Sequence, residues 1–220
     1  MNNSIQILIM NAPLLAQGLF MTIKLLLGAS CISFTVGTLL GTLSSQRLNL
    51  SVARACIAIY VFITRGIPVY VQVLIGYFVI PDLLGISLSP FIAAICALGI
   101  CSSGYVTEIV RGGINSIALG QWDAAYTLGY SQIQTIRYII LPQMLANALP
   151  SLSNEIEALL KSTAILSVIG LAELTKMASN IVARYMIPVP VYITIAGLYL
   201  VLSALLKIIT RAIEQRLHIT

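Results

Sequence analysis

Residues 18–44 read GLFMTIKLLLGASCISFTVGTLLGTLS, an apolar run whose one charged residue is Lys24. A helix needs roughly 20 mostly apolar residues to cross the hydrocarbon core of a bilayer, and this run is long enough. Similar apolar runs occupy 55–80, 89–110, 143–170 and 188–213. The pattern predicts an all-α integral membrane protein with about five transmembrane helices.

The composition supports the same class. Of the 220 residues, 59% are hydrophobic and only 9% are charged, with a mean hydropathy of +0.98. A soluble domain carries roughly a quarter charged residues, so the solvent of this chain is the bilayer. We expect one transmembrane domain over residues 1–220. The N-terminus lacks the basic start of a signal peptide, and we expect it to be retained.

The basic residues predict the orientation in the membrane. They concentrate in the loop around 45–54, in the loop 111–142 and at the C-terminal end, whereas 1–17 and 81–90 contain no Lys or Arg. The positive-inside rule then places the N-terminus outside and the C-terminus in the cytoplasm, with 171–187 as an exception that carries basic residues. The net charge of +5 forms no basic stripe, so we exclude nucleic acid as a partner.

The sequence contains no pattern typical of a metal site or an enzyme. The four cysteines lie inside apolar runs without a C-x-x-C pair, and the one histidine is His218. Such cysteines act as small buried hydrophobic residues, so we expect no metal site. No Gly-x-x-x-x-Gly-Lys-Ser/Thr phosphate loop and no catalytic constellation occurs. We therefore expect neither catalytic residues nor a cofactor bound by this chain.

Two local features predict helix packing and a helix break. Gly37 and Gly41 are four residues apart, a spacing that lets a neighbouring helix approach closely. Gly66 and Pro68 interrupt the second apolar run, since proline has no backbone donor. Arg65 at this break lies either near the inner interface or along a cavity.

The loop 111–142 is too polar to span the bilayer and contains a short helical pattern. Gly120 and Gly129 bracket about two helical turns, residues 121–128. We expect Asp123 in the first turn, where a negative charge suits the helix dipole. Gly129 stands where helix ends favour a left-handed residue.

The same helix has a slim side. Ala124 and Ala125 are small, so the surface of another protein can come close to the helix. Leu141-Pro142 then predicts a stop before the next span. On composition alone, this segment equally fits an ordinary helix at the membrane interface.

The order and spacing of these residues resemble the "EAA loop" of permeases of binding-protein-dependent ATP-binding-cassette importers. Asp123 replaces the glutamate of that motif and keeps its charge. Further stretches resemble motifs of the polar amino acid group of these permeases: Tyr60 to Pro68, Glu108 to Gly113, Asn154-Glu155 and Lys161 to Ala164. The resemblance implies a type I importer permease fold. It also implies that residues 120–129, with Pro142, couple the chain to an ATPase.

The resemblance implies a set of partners in the inner (cytoplasmic) membrane. These are a cytoplasmic ATPase that binds ATP and Mg²⁺, an identical or paralogous permease chain, an extracytoplasmic solute-binding protein and membrane lipid. The expected function is import of a polar or basic amino acid by alternating access. Two alternatives remain: import of another small solute by the same machinery, and an ATP-independent secondary transporter or channel. An absent internal repeat argues against the usual secondary transporter folds.

The fourth apolar run contains charges that are costly at bilayer depth. Glu157 and Lys161 are four residues apart, in the orientation that favours an ion pair. Glu155 and Ser162 are seven residues apart and share a helix face. We expect Glu155, Ser162 and Thr163 to line the substrate path, with Glu155 facing an ammonium or basic group. The alternative is that Glu155 pairs with a neighbouring helix in a purely structural role.

The resemblance also bears on the substrate charge. Similar permeases for basic amino acids often carry an acid at the position of Ser162. The neutral side chain here removes one counter-charge, so a strictly cationic substrate does not follow. The acidic half of the site could equally lie on a paralogous partner chain.

Overall fold

The computed structural model describes residues 2–46 and 50–216, and no strand occurs in this range. Eleven α-helices follow one another here, and we number them in chain order. They are α1 Asn2–Met10, α2 Ala12–Leu43, α3 Ser51–Gly66, α4 Val69–Leu74, α5 Ile80–Leu84, α6 Pro90–Asn115, α7 Leu119–Thr127, α8 Gln132–Thr135, α9 Leu141–Ser162, α10 Leu174–Tyr185 and α11 Pro188–Arg216.

Three of these helices, α2, α6 and α11, are long and apolar enough to cross a membrane by themselves. Two further pairs reach that length only across a bend: α3 with Val69–Leu84, and Gln132–Ile169 with α10. The described residues therefore hold three spanning helices, or up to five if each bent pair is one span. The upper number agrees with the predicted count of about five.

The chain folds into two compact units, each assembled from separate stretches of sequence. Within the described residues, unit 1 draws on Met1–Cys31, Pro68–Gly99 and Ile156–Lys207. Unit 2 draws on Ile32–Ile67, Ile100–Glu155 and Ile208–Thr220. Neither unit is continuous in sequence, so each depends on long-range packing. A single transmembrane domain over the whole chain stays a prediction.

Unit 1 has two apolar cores and one buried carboxylate. Glu173 is fully buried and caps the start of α10, where its carboxylate accepts hydrogen bonds from the backbone N–H groups of Thr175 (2.8 Å) and Lys176 (2.6 Å). The hydroxyl of Tyr199 donates a third bond of 3.3 Å to the same group. Because N-caps satisfy backbone donors that a helix leaves open, this buried charge is structurally accounted for.

Unit 2 contains the close helix contact that the glycine spacing predicts. A Cβ atom at Gly37 would lie 2.5 Å from Cβ of Val106, and one at Gly41 would lie 2.7 Å from Cβ of Val110. Real Cβ atoms essentially never approach this closely. Only glycine therefore lets α2 lie against α6 in this way, and the predicted close approach is confirmed.

Of the two helix interruptions predicted at Pro68 and Pro142, the structure contains only the first. The break at Gly66 and Pro68 is confirmed, since α3 ends at Gly66 and Pro68 precedes α4. The stop predicted at Pro142 is wrong, because the chain is helical from Gln132 to Ile169. A π-helical segment, Ile136–Ile140, comes just before α9, and the N–H of Leu141 bonds the carbonyl of Ile136. These wider turns keep the chain helical up to the proline, which has no N–H to donate.

Candidate functional site

Helix α7 forms the centre of the polar loop and begins earlier than predicted. It starts at Leu119, after Ala118, whose side chain makes no capping hydrogen bond. Gly120 therefore lies inside the helix and does not bracket it. Asp123 is consequently not in the first turn, and that prediction is wrong. Its carboxylate lies beyond the short range of the dipole at the helix N-terminus.

The C-terminal end of α7 is closed by glycine, as predicted. Gly129 has a φ of +81°, in the left-handed region. Its N–H donates to the carbonyl of Tyr126 at 3.0 Å, and the N–H of Tyr130 donates to the carbonyl of Ala125 at 3.1 Å. Together these two bonds form a Schellman motif, which satisfies carbonyls that a helix end otherwise leaves open.

The two alanines of α7 face opposite environments. Ala125 is 2% exposed and Trp122 is 7% exposed, and both face the interior of unit 2. Ala124 and Asp123 are exposed. Ala124 is therefore accessible to the surface of another protein, whereas Ala125 packs against its own chain; that either residue couples to an ATPase stays a prediction. Large apolar side chains around the helix are also exposed: Leu119, Tyr126, Leu128 and Ile133. Clustered exposed apolar residues of this kind mark interaction surfaces.

Pro142 lies near this helix in the sequence and is itself exposed. It is the second residue of α9, directly after the π-helical turns Ile136–Ile140, so its missing N–H falls where the hydrogen-bond pattern of the continuous helix changes. Its assignment as a coupling residue stays a prediction.

Glu155 on α9 is half-buried and held by a buried serine. The hydroxyl of Ser102 on α6 donates to Oε1 of Glu155 at 2.7 Å. The hydroxyl of Ser33 on α2 donates to Oγ of Ser102 at 2.8 Å. Neither serine could be identified from the sequence, because Ser102 lies 53 residues from Glu155 and Ser33 lies 69 residues from Ser102 along the chain. Only long-range packing brings these groups together.

Ser162 and Thr163 belong to unit 1 and differ in exposure. Ser162 is partly exposed, and its hydroxyl donates to the carbonyl of Ala158 at 2.9 Å. Thr163 is fully buried and donates to the carbonyl of Leu160 at 2.6 Å. The structure thus does not expose Thr163, which begins the tighter 3₁₀ segment Thr163–Ile169. That Glu155 and Ser162 act on one substrate path stays a prediction.

The predicted arrangement of Glu157 and Lys161 is present in unit 1. Nζ of Lys161 lies 2.8 Å from Oε1 of Glu157, and the lysine side chain is 65% exposed. The pair lies on successive turns of α9, with the acid first. Each charge therefore neutralises the other, in contrast to Glu155.

A second charged cluster lies in unit 2. Oε2 of Glu108 is 2.6 Å from Nη2 of Arg111 and 3.9 Å from Nη1 of Arg65. The guanidinium of Arg65 also lies 5.1 Å from the ring centroid of Tyr105. Glu108 borders a cavity of about 430 Å³, together with Ser116 and other polar residues. The sequence marked Glu108 and Arg111 only through a family motif.

Across the described residues, no group of three His, Cys, Asp or Glu side chains comes together as metal ligands would. His218 lies outside the described residues. The free cysteines are Cys31, Cys56, Cys96 and Cys101.

Within residues 2–46 and 50–216, the apolar helices and the exposed, glycine-capped α7 define an α-helical integral membrane protein with a surface suited to bind a partner. Residues 33–219 match the family described as "binding-protein-dependent transport system inner membrane component", and the chain belongs to this family. The predicted family and the predicted all-α membrane fold are confirmed. The alternative of an ATP-independent channel or secondary transporter is not retained, since this family depends on binding proteins.

Curated relatives match over nearly the whole chain. The arginine transport system permease protein ArtQ of Bacillus subtilis (strain 168) is 36% identical and covers 99% of this chain and 98% of its own length. The glutamine transport system permease protein GlnP of Escherichia coli (strain K12) is 33% identical over 94% of both chains. The L-cystine transport system permease protein TcyB of Bacillus subtilis (strain 168) is 34% identical over 93% of this chain and 87% of its own.

Solved structures agree with this assignment. The crystal structure of an amino acid ABC transporter with histidines matches with a TM-score of 0.85 and 34% identity, over 95% of this chain and 96% of that one. An inward-facing MetNI methionine ABC transporter matches with a TM-score of 0.79 over 93% and 96%. Its identity is 21%, so it supports the fold alone.

Proposed function

We propose that this chain is the membrane subunit of an ATP-driven importer that carries a polar or basic amino acid into the cytoplasm by alternating access. The observation that carries the proposal is similarity over nearly the full length to amino acid permeases, at 33–36% identity. The relatives named for arginine, glutamine and cystine differ in substrate charge. The shared substrate chemistry is therefore the amino acid backbone, with its ammonium and carboxylate groups.

Helix α7 is the proposed joint to the ATPase. Its exposed face presents Ala124, where a second protein can approach, next to large apolar side chains such as Leu128. Its buried face anchors Trp122 and Ala125 in unit 2. An anchored helix with an exposed apolar face is suited to receive a mechanical displacement from a partner. That partner would bind ATP and Mg²⁺ itself, and this chain would bind neither.

The rest of the proposed assembly follows from the family. It comprises a second permease chain, identical or paralogous, and a solute-binding protein on the outer face. The N-terminus would lie outside and the C-terminus in the cytoplasm, as the distribution of basic residues predicts.

The proposed contact with substrate is the carboxylate of Glu155. Unlike Glu108 and Glu157, it has no ion-pair partner among residues 2–46 and 50–216. The positive charge of Arg65 acts on this carboxylate from beyond ion-pair distance. A half-buried carboxylate without a direct ion pair is suited to bind a cation that arrives from elsewhere, such as the ammonium of an amino acid. Ser162 would add a neutral hydroxyl to the same path.

The test is uptake by the assembled transporter. The chain is purified with its ATPase and reconstituted in proteoliposomes with ATP inside and binding protein outside, and uptake of labelled arginine, glutamine and histidine is measured. Glu155→Gln should raise KM by about 10- to 100-fold, because a hydrogen bond to a charged group is worth about 1.5–3 kcal/mol.

Glu157→Gln is the matched control, since it makes the same change on the same helix in an acid that is already paired with Lys161. It should leave KM within about twofold, as expected for a partly exposed ion pair. Unchanged KM and unchanged substrate preference in Glu155→Gln would show that Glu155 does not bind substrate. Failure of an ATPase to co-purify would count against the importer itself.

A further inference from the structure

Three polar side chains from three helices form a continuous chain of hydrogen bonds inside unit 2. Ser33 is fully buried and Ser102 is 4% exposed, while Glu155 is half-buried. The two bonds are 2.8 Å from Ser33 to Ser102 and 2.7 Å from Ser102 to Glu155. Both lengths are typical of well-formed O–H···O bonds.

The direction of this chain follows from counting protons. An ionised carboxylate can only accept, and each serine hydroxyl has one proton to donate. Ser102 must therefore donate its hydrogen bond to Glu155 and accept one from Ser33. The arrangement has a single polarity, from Ser33 through Ser102 to the carboxylate, and successive bonds of one polarity strengthen each other.

One oxygen of Glu155 is thereby held and the other is left for a ligand. Oε1 accepts from Ser102, whereas the contacts of the described residues give Oε2 no hydrogen bond and no ion pair. A side chain fixed at one oxygen loses less rotational freedom when the other oxygen binds a ligand. Such preorganisation improves affinity by lowering the entropic cost of binding.

We propose that Ser102 is a positioning residue for Glu155, and that Ser33 supports it from α2. The ligand class is a primary ammonium, bound at Oε2. This inference rests on the proposed function, because Ser102 is assigned to position the Glu155 carboxylate that is proposed there as the substrate contact. The competing explanation is that the serines only fill each other's hydrogen-bonding capacity between packed helices and do not influence substrate binding.

The experiment measures KM and kcat of ATP-dependent uptake for Ser102→Ala, Ser102→Thr and Ser33→Ala in the reconstituted transporter. Ser102→Ala should raise KM about tenfold with kcat within about twofold, because it removes a hydrogen bond that orients the charged group. Ser102→Thr retains the hydroxyl and should restore KM. Ser33→Ala leaves the bond to Glu155 in place and should raise KM only about threefold.

A double-mutant cycle separates positioning from packing. In the Glu155→Gln background, Ser102→Ala should change KM by less than about twofold, since the carboxylate it positions is gone. Ser44→Ala is the matched control: Ser44 is a buried serine of unit 2 whose hydroxyl donates to a backbone carbonyl, and KM should not change. Size-exclusion chromatography verifies assembly. If Ser102→Ala assembles poorly, Ser102→Cys keeps the volume with a weak donor and should give the same rise in KM.

The outcomes distinguish the two levels of the proposal. If Glu155→Gln impairs uptake and Ser102→Ala does not change KM, the positioning role is refuted and the substrate contact stands. If Ser102→Ala lowers kcat alone, or adds its full effect to Glu155→Gln, the serine acts through packing and the inference is wrong. If Glu155→Gln leaves uptake unchanged, Glu155 does not bind substrate, and the positioning role of Ser102 is refuted with it.

Discussion

Replacing Gly129 with alanine tests whether the closed end of α7 is needed for coupling. Gly129 adopts a φ of +81°, and an added Cβ would meet nothing within 4 Å. The substitution therefore introduces no clash and acts on the backbone alone. The two hydrogen bonds of the Schellman motif depend on this left-handed residue.

The size of the effect follows from the conformational preference of alanine. A left-handed conformation costs an L-residue about 1–2 kcal/mol, which corresponds to a factor of about 5–30 in the equilibrium constant between the closed and the open helix end. Asparagine tolerates this region better than alanine. Gly129→Asn should therefore lose less than Gly129→Ala, although its side chain is larger.

The assay is ATP hydrolysis by the assembled transporter, with and without substrate-loaded binding protein. Gly129→Ala should reduce the substrate-stimulated part of ATP hydrolysis, by at most about 5- to 30-fold, because the end of α7 is less often closed. The basal rate of the ATPase should stay unchanged. Gly197→Ala in α11 is the control, since an added Cβ there also meets nothing and the helix is regular. Full stimulation in Gly129→Ala, or equal losses with alanine and asparagine, would refute the reasoning.

Two further changes test the packing and the substrate path. Gly37→Ala should destabilise the chain by about 1–3 kcal/mol, because its Cβ would lie 2.5 Å from Cβ of Val106, and the melting temperature in detergent should fall. Gly112→Ala is the control: its added Cβ meets nothing within 4 Å, so the melting temperature should stay unchanged. Ser162→Asp adds a second carboxylate and should shift the uptake ratio of arginine to glutamine about tenfold toward arginine, since hydrogen bonds to charged groups are worth about 1.5–3 kcal/mol. An unchanged ratio in a competition assay would contradict the placement of Ser162 on the substrate path.

The spans were predictable from sequence because their signal is local. In lipid, an apolar run must form a helix so that its backbone N–H and C=O groups hydrogen-bond to each other. The predicted span 89–110 accordingly corresponds to α6, Pro90–Asn115. The break at Gly66 and Pro68 was equally local, since it follows from backbone chemistry. The ends of the helices were less accurate, as with α7, which starts at Leu119.

Departures from α-helical geometry could not be predicted in the same way. The π-helical segment Ile136–Ile140 and the 3₁₀ segment Thr163–Ile169 contain mostly apolar residues like those of the adjacent helices. Their geometry is set by packing and by how each run meets its neighbours, which composition does not record.

Within the site, the sequence located residues but not the directions in which they point. Periodicity cannot tell which side of a short helix faces its own chain, so the sequence does not distinguish the exposed Ala124 from the buried Ala125. The bond from Ser102 to Glu155 spans 53 residues and has no local signature. Gly129 was predictable because its left-handed backbone is a property of one position.

Trp122 anchors α7 to two long helices of unit 2. Its ring packs in one core with Val110 of α6 and Met144 of α9, all within unit 2. Trp122 and Met144 also border an apolar cavity of about 50 Å³. The same two helices carry Ser102 and Glu155, whose contact is a single bond of 2.7 Å. Because α7 packs on both of these helices, we expect that a displacement of α7 which moves α6 against α9 would lengthen this bond and loosen the hold on the carboxylate.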